Sequence, residues 1–128
     1  MKTTARTTVA VLIALAVPVT GIGAAHASGG NDVTRRGSCS GSTDWKIKAK
    51  PDNGRIEVES EIDSNHKGQT WRWVLRHDGA VASRGSSVTK GPSGSFSVDR
   101  RTANHAGTDS FRFRATHGGE VCVARVRL

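Results

Sequence analysis

Six arginines fall in three evenly spaced pairs, so that the two side chains of each pair share a face. Arg72 and Arg76 lie in the segment 69–77, Arg112 and Arg114 in 109–117, and Arg125 and Arg127 in 120–128. Within each segment the spacing is even, and in an extended chain evenly spaced side chains share one face. A guanidinium is planar, weakly hydrated and carries a fork of donors that grips phosphate, sulfate or carboxylate in bidentate fashion. Six of them on one surface are the chemistry of polyanion binding. Base-specific reading of nucleic acid is not expected, because no aromatic residues interleave with the arginines to stack on bases.

Other chemistries have less support. His66, His77, His105 and His117 are scattered singly, with no H-x-x-x-H or H-x-H spacing for a metal. His77 beside Asp78-Gly79 reads as a turn residue. No serine sits in a G-x-S-x-G elbow, and Glu57, Glu59 and Glu61 oppose lysines in a solvated arrangement. Residues 63–68 have some likeness to a calcium loop, but Lys67 stands where a carboxylate is needed and Val74 where the loop ends in glutamate. The chain is therefore expected to be no enzyme and to use no metal or cofactor.

The elements that must place the arginines are short strands. Residues 109–128 alternate, with Phe111, Phe113, Ala115, Cys122, Ala124 and Val126 on one face and the arginines on the other. Gly118-Gly119 is a two-residue hairpin turn, since a primed turn needs positive φ at its centre. The register then pairs Ala115 with Cys122, Phe113 with Ala124, Phe111 with Val126 and Arg112 with Arg125. A slip by one residue would bury arginines and expose phenylalanines, so the register is well specified. Like charges directly opposite are mildly destabilising, which makes the Arg112–Arg125 pair conspicuous.

Upstream, residues 44–50 place Trp45, Ile47 and Ala49 inward, and 55–63 place Ile56, Val58 and Ile62 inward. A four-residue turn at 51–54 would set Lys48 against Glu57 and Lys46 against Glu59. Residues 69–77 carry Trp71, Trp73 and Leu75 on one face. Asp78-Gly79 is a second hairpin turn leading into 80–84, residues 86–90 form a weak strand, and 95–100 place Phe96 and Val98 inward. No helical periodicity or internal repeat occurs after residue 27. The expectation is all-β: an antiparallel seven-stranded sandwich.

Residues 1–27 read as a secretory signal peptide. Lys2 and Arg6 precede an apolar run from Val9 to Val19, and Ala25-His26-Ala27 fits a small-x-small cleavage site. No later run could anchor the chain in a membrane, so a secreted protein, free or loosely wall-associated, is expected. The whole chain carries a net charge of +8; without residues 1–27, seventeen basic residues face eleven acidic ones, a net +6. Residues 28–38 are polar and glycine-rich and read as a flexible leader, which leaves 39–128 as one domain. Cys39 and Cys122 in an oxidising compartment form one disulfide. It closes a loop of about 84 residues, which chain-entropy arguments value at roughly 4–5 kcal/mol.

The stretch Gly107-Thr108-Asp109-Ser110-Phe111 resembles the Gly-x-Asp-x-Phe opening of the penultimate strand in bacterial immunoglobulin-like domains. The resemblance covers about residues 40–128 and implies that Trp71 or Trp73 is the core tryptophan of the third strand. It departs from antibody-type domains in lacking tyrosine and in placing its disulfide on the last strand. As a whole the chain is similar to small secreted single-domain proteins of high-GC Gram-positive bacteria.

An immunoglobulin-like topology implies that the third, sixth and seventh strands share a sheet. Arg72, Arg76, Arg112, Arg114, Arg125 and Arg127 then form one outer face, with Val74 and Val123 between them and no acid. Lys46, Lys48, Lys50 and Arg55 on the other face cancel against Glu57, Glu59, Glu61 and Asp99. The expected partner is an extracellular polyanion such as wall teichoic phosphodiesters, acidic glycans or nucleic acid. The alternative is a protein partner, for adhesion or enzyme inhibition, met by loops such as 65–68 or 91–94. A monomer is expected.

Overall fold

The computed structural model describes residues 31–128; the signal-peptide reading of 1–27 lies outside them. Eight strands run in chain order: β1 (Val33–Ser38), β2 (Asp44–Asp52), β3 (Arg55–Asp63), β4 (Thr70–His77), β5 (Ala80–Val88), β6 (Ser95–Ala103), β7 (Ser110–His117) and β8 (Glu120–Arg127). They form two four-stranded antiparallel sheets, ordered β1-β2-β3-β6 and β5-β4-β7-β8. The architecture is a sandwich, with eight strands rather than the expected seven. Among the described residues no helix is long and apolar enough to cross a membrane.

The additional strand comes from the segment read as a flexible leader. Val33–Ser38 pairs along β2 from Val33 opposite Ala49 to Ser38 opposite Asp44. Glycine there is a packing seat. The Trp45 ring lies so close over Gly37 that an added Cβ would meet it at 2.5 Å. The segments on either side of Gly85, expected as a strand and a separate weak strand, are one continuous strand, β5.

Turn chemistry sets three hairpins. Asn53-Gly54, Asp78-Gly79 and Gly118-Gly119 all have positive φ at both centres, the requirement of a tight primed turn. At the first of these the turn is two residues, not four. Asp52 faces Arg55, so Lys50 opposes Glu57, Lys48 opposes Glu59 and Lys46 opposes Glu61, two residues away from the expected register. Pro51 lies inside β2 beyond Ala49, the last residue of β2 that β1 covers, where a missing N–H costs no ladder bond to that neighbour. The final hairpin has the expected register throughout, including Arg112 opposite Arg125.

Alternation decides what is inside. Ile47, Ala49, Ile56, Val58, Ile62, Trp71, Trp73, Leu75, Phe96, Val98, Phe111, Phe113, Ala115, Cys122, Ala124 and Val126 form one buried cluster between the sheets. Both tryptophans of β4 are inside, and Trp73 stacks on Phe113 with centroids 5.6 Å apart. The sheets are joined at both margins. On one side the Cys39–Cys122 disulfide and a hydrogen bond from Ser40 N to the Val121 carbonyl (2.9 Å) tie the β1–β2 connection to β8. On the other, the Arg100 guanidinium lies 5.1 Å over the Trp73 ring and Arg100 Nε donates to Ser83 Oγ at 2.9 Å.

Candidate functional site

All six arginines singled out by spacing lie on the outer face of the β5-β4-β7-β8 sheet. Pairing arranges them in rows. Arg76 of β4 faces Arg112 of β7, which faces Arg125 of β8, so three guanidinium-bearing residues stand side by side across three strands. In the next row Val74 faces Arg114, which faces Val123. Arg72 opposes Thr116, and Arg127 opposes Ser110 at the sheet's end. Arg84 of β5 faces Val74 and so extends the second row outward. The sequence reading assigned no face to residues 80–84; in the structure the break in pairing at Leu75/Arg76 sets Arg84 opposite Val74, on the outer side.

Among the described residues no carboxylate comes within ion-pair distance of any of these seven arginines. Arg72, Arg76, Arg84, Arg114, Arg125 and Arg127 are exposed, whereas Arg112 is half-buried and its Nε is a buried donor without a hydrogen-bond partner. Burying a donor unpaired costs about 1–3 kcal/mol. A shallow depression of about 390 Å³ opens beside it, lined by Arg76, Gly79, Ser110, Phe111, Arg112 and Arg125. Arg76 is steered by a 3.3 Å bond from its Nη1 to the Gly79 carbonyl. The face thus offers several charged donors and no competing acid.

The opposite outer face differs in kind. Lys46 lies 3.6 Å from Glu61 and 3.8 Å from Glu59, Lys50 lies 3.6 Å from Glu57, Lys48 lies 3.3 Å from Asp32, and Arg101 lies 2.9 Å from Asp52. These charges satisfy one another.

At one end of the sandwich the fold gathers residues that the sequence scatters. His77 closes β4, Asp78 opens the following turn, His105 lies in the β6–β7 connection, and Asp109 precedes β7. His77 Nε2 is 2.6 Å from Asp109 Oδ1, and His105 Nδ1 is 2.6 Å from Asp78 Oδ2. The two imidazoles stack face to face with centroids 4.0 Å apart and planes inclined by 4°. Backbone groups fix the carboxylates: Ser110 N donates to Asp78 Oδ1 at 2.8 Å, and His105 N donates to Asp109 Oδ1 at 3.1 Å. The Ser110 N–H, followed by the His105 imidazole, holds the Asp78 carboxyl below its ordinary value. No spacing signal finds this group, since its members come from three segments that meet only when β4 pairs with β7. The loop residues at 65–68 and 91–94, offered as a protein-binding surface, meet each other: Ser64 N donates to the Gly94 carbonyl at 3.1 Å, and Gly94 packs directly on the His66 backbone.

No protein-family model matches this chain, and no curated protein and no solved structure matches it either. The two-sheet, all-β architecture and the Cys39–Cys122 disulfide are what place it among proteins.

Proposed function

We propose that this chain is a secreted, non-enzymatic binding module that engages an extracellular or cell-wall polyanion through its arginine face. The observation that carries this is the row Arg76–Arg112–Arg125, three like charges directly opposite one another with no acid in reach. Such pairs oppose folding by tenths of a kcal/mol each. An anion lying along the row relieves that repulsion and supplies an acceptor for the buried Arg112 Nε. Arg84, Arg114, Arg72 and Arg127 extend the track on either side. An immunoglobulin-like reading of the sandwich is supported by the partition of strands, with β4, β7 and β8 in one sheet and β2, β3 and β6 in the other. Secretion fits a disulfide that joins the two sheets.

The test is a binding series of inorganic polyphosphate and an acidic glycan against salt. Three to six phosphate contacts give a slope of log K against log salt of roughly −2 to −5. Binding that persists in high salt and in the Arg76→Ser/Arg112→Ser/Arg125→Ser variant would move the function to the loops and to a protein partner. Absence of binding at low salt ends the polyanion reading.

A further inference from the structure

We propose that His77, Asp78, His105 and Asp109 bind a borderline divalent transition-metal cation of the zinc(II) or copper(II) kind. Their four donor atoms lie within 4.8 Å of one another. Taken in turn they form a closed ring of alternating nitrogen and oxygen. His77 Nε2 to Asp109 Oδ1 is 2.6 Å, Asp109 Oδ1 to His105 Nδ1 is 3.8 Å, His105 Nδ1 to Asp78 Oδ2 is 2.6 Å, and Asp78 Oδ2 to His77 Nε2 is 3.5 Å. With metal–ligand bonds of about 2.0–2.1 Å, adjacent donors sit about 2.9 Å apart in a square-planar site and about 3.3 Å apart in a tetrahedral one. The observed edges straddle both values, but the two imidazoles are stacked with planes inclined by only 4°, so one cation takes both nitrogens in their ring planes only after the exposed His105 ring turns out of the stack.

The parts that must stay fixed are fixed, and the parts that must move are free to. Asp109 and His77 are buried, with side chains 2% and 7% exposed, while Asp78 and His105 are 34% and 48% exposed on the open side. Asp109 is held by paired backbone bonds with Leu128, both 2.9 Å, and Asp78 by its N–H to the Ser110 carbonyl at 2.8 Å. Two imidazoles with two carboxylates suit a borderline cation. Calcium and magnesium require a larger set of oxygen donors than this site offers. A bound cation would tie the β6–β7 connection to the β4–β5 turn, at the edge of the arginine face but through none of its arginines. The proposal therefore stands or falls separately from polyanion binding.

The experiment uses the purified tag-free chain after chelator stripping. Zinc(II) is titrated against a competing indicator, cobalt(II) by visible absorbance and copper(II) by electron paramagnetic resonance. One equivalent is expected, with a rise in Tm on the order of 5 °C under saturating metal. Intense cobalt(II) d–d bands would report the tetrahedral arrangement, and a copper(II) spectrum with nitrogen coupling the planar one. His105→Ala and Asp78→Asn alter exposed side chains, so the fold survives them; each is expected to weaken binding at least about 10-fold. His66→Ala and His117→Ala should bind as the parent does. Absence of one-equivalent binding by the parent, or unchanged binding by both His105→Ala and Asp78→Asn, overturns the proposal.

Discussion

The two outer faces of the sandwich are built from the same alternating β-pattern yet solve the charge problem in opposite ways. On the β1-β2-β3-β6 sheet, lysines of β2 stand opposite glutamates of β3, and every lysine of the strand has a carboxylate within 4 Å. On the β5-β4-β7-β8 sheet, arginine stands opposite arginine, valine, serine or threonine and no acid intervenes. The β2 lysines are closed to charged partners because they already have them. The arginine face carries its charge uncompensated, in the residue type best suited to oxyanions. A basic isoelectric point by itself does not distinguish these arrangements; cross-strand register does.

The comparison can be tested by experiments of decreasing expected effect. It requires the sheets to be held back to back, and the Cys39→Ala/Cys122→Ala variant removes the covalent tie between them. Denaturant unfolding should show a loss of about 4 kcal/mol, while the folded fraction keeps its salt-dependent polyanion binding. Next, Arg76→Ser/Arg112→Ser/Arg125→Ser should reduce polyphosphate affinity at low salt by at least about 10-fold, the equivalent of losing a single charge-assisted contact of roughly 1.5 kcal/mol. Lys46→Ser/Lys48→Ser/Lys50→Ser removes equal charge from the other face and should change affinity by no more than about 2-fold, since those charges are already screened by carboxylates. An equal loss in both would abolish the distinction between the faces.

Arg112→Glu sharpens it from the other direction. A carboxylate between Arg76 and Arg125 should stabilise the fold by about 0.2–1 kcal/mol and at the same time eliminate polyphosphate binding. Stability and binding moving in opposite senses is the mark of a surface kept charged at a cost to folding. The smallest effect concerns acid. Asp78 titrates below its ordinary value of 3.8, so it contributes stability that is present above that pH and is lost as pH falls through the lower folded value. In chelator, Asp78→Asn should flatten the decline in Tm below about pH 4.

Much of this was legible in the residues. Phe111, Phe113, Ala124 and Val126 against Arg112, Arg114, Arg125 and Arg127 left one register open to the final hairpin, and the tight turns at Asp78-Gly79 and Gly118-Gly119 follow from their need for positive φ. The errors arose where a local signal had two readings. Pro51-Asp52-Asn53-Gly54 fits a longer turn or a two-residue one, and only the length of β2 and β3 chooses. Gly37 in a polar stretch suggests mobility until Trp45 is seen lying on it. Residues 80–84 carry no clear alternation of their own, and the face of Arg84 is set by the bulge in the β4–β5 pairing.

What the chain's own order determined is whatever has period two or spans a turn: which side chains face inward, where hairpins reverse, and that arginines within one strand share a side. Those follow from backbone geometry between near neighbours. Only the tertiary structure decided that arginines of three strands fall into a row, that the lysines of another sheet meet carboxylates, and that His77 and Asp78 meet His105 and Asp109. Such meetings depend on which strands lie adjacent, and adjacency is set by burial of the whole core rather than by any segment's own pattern.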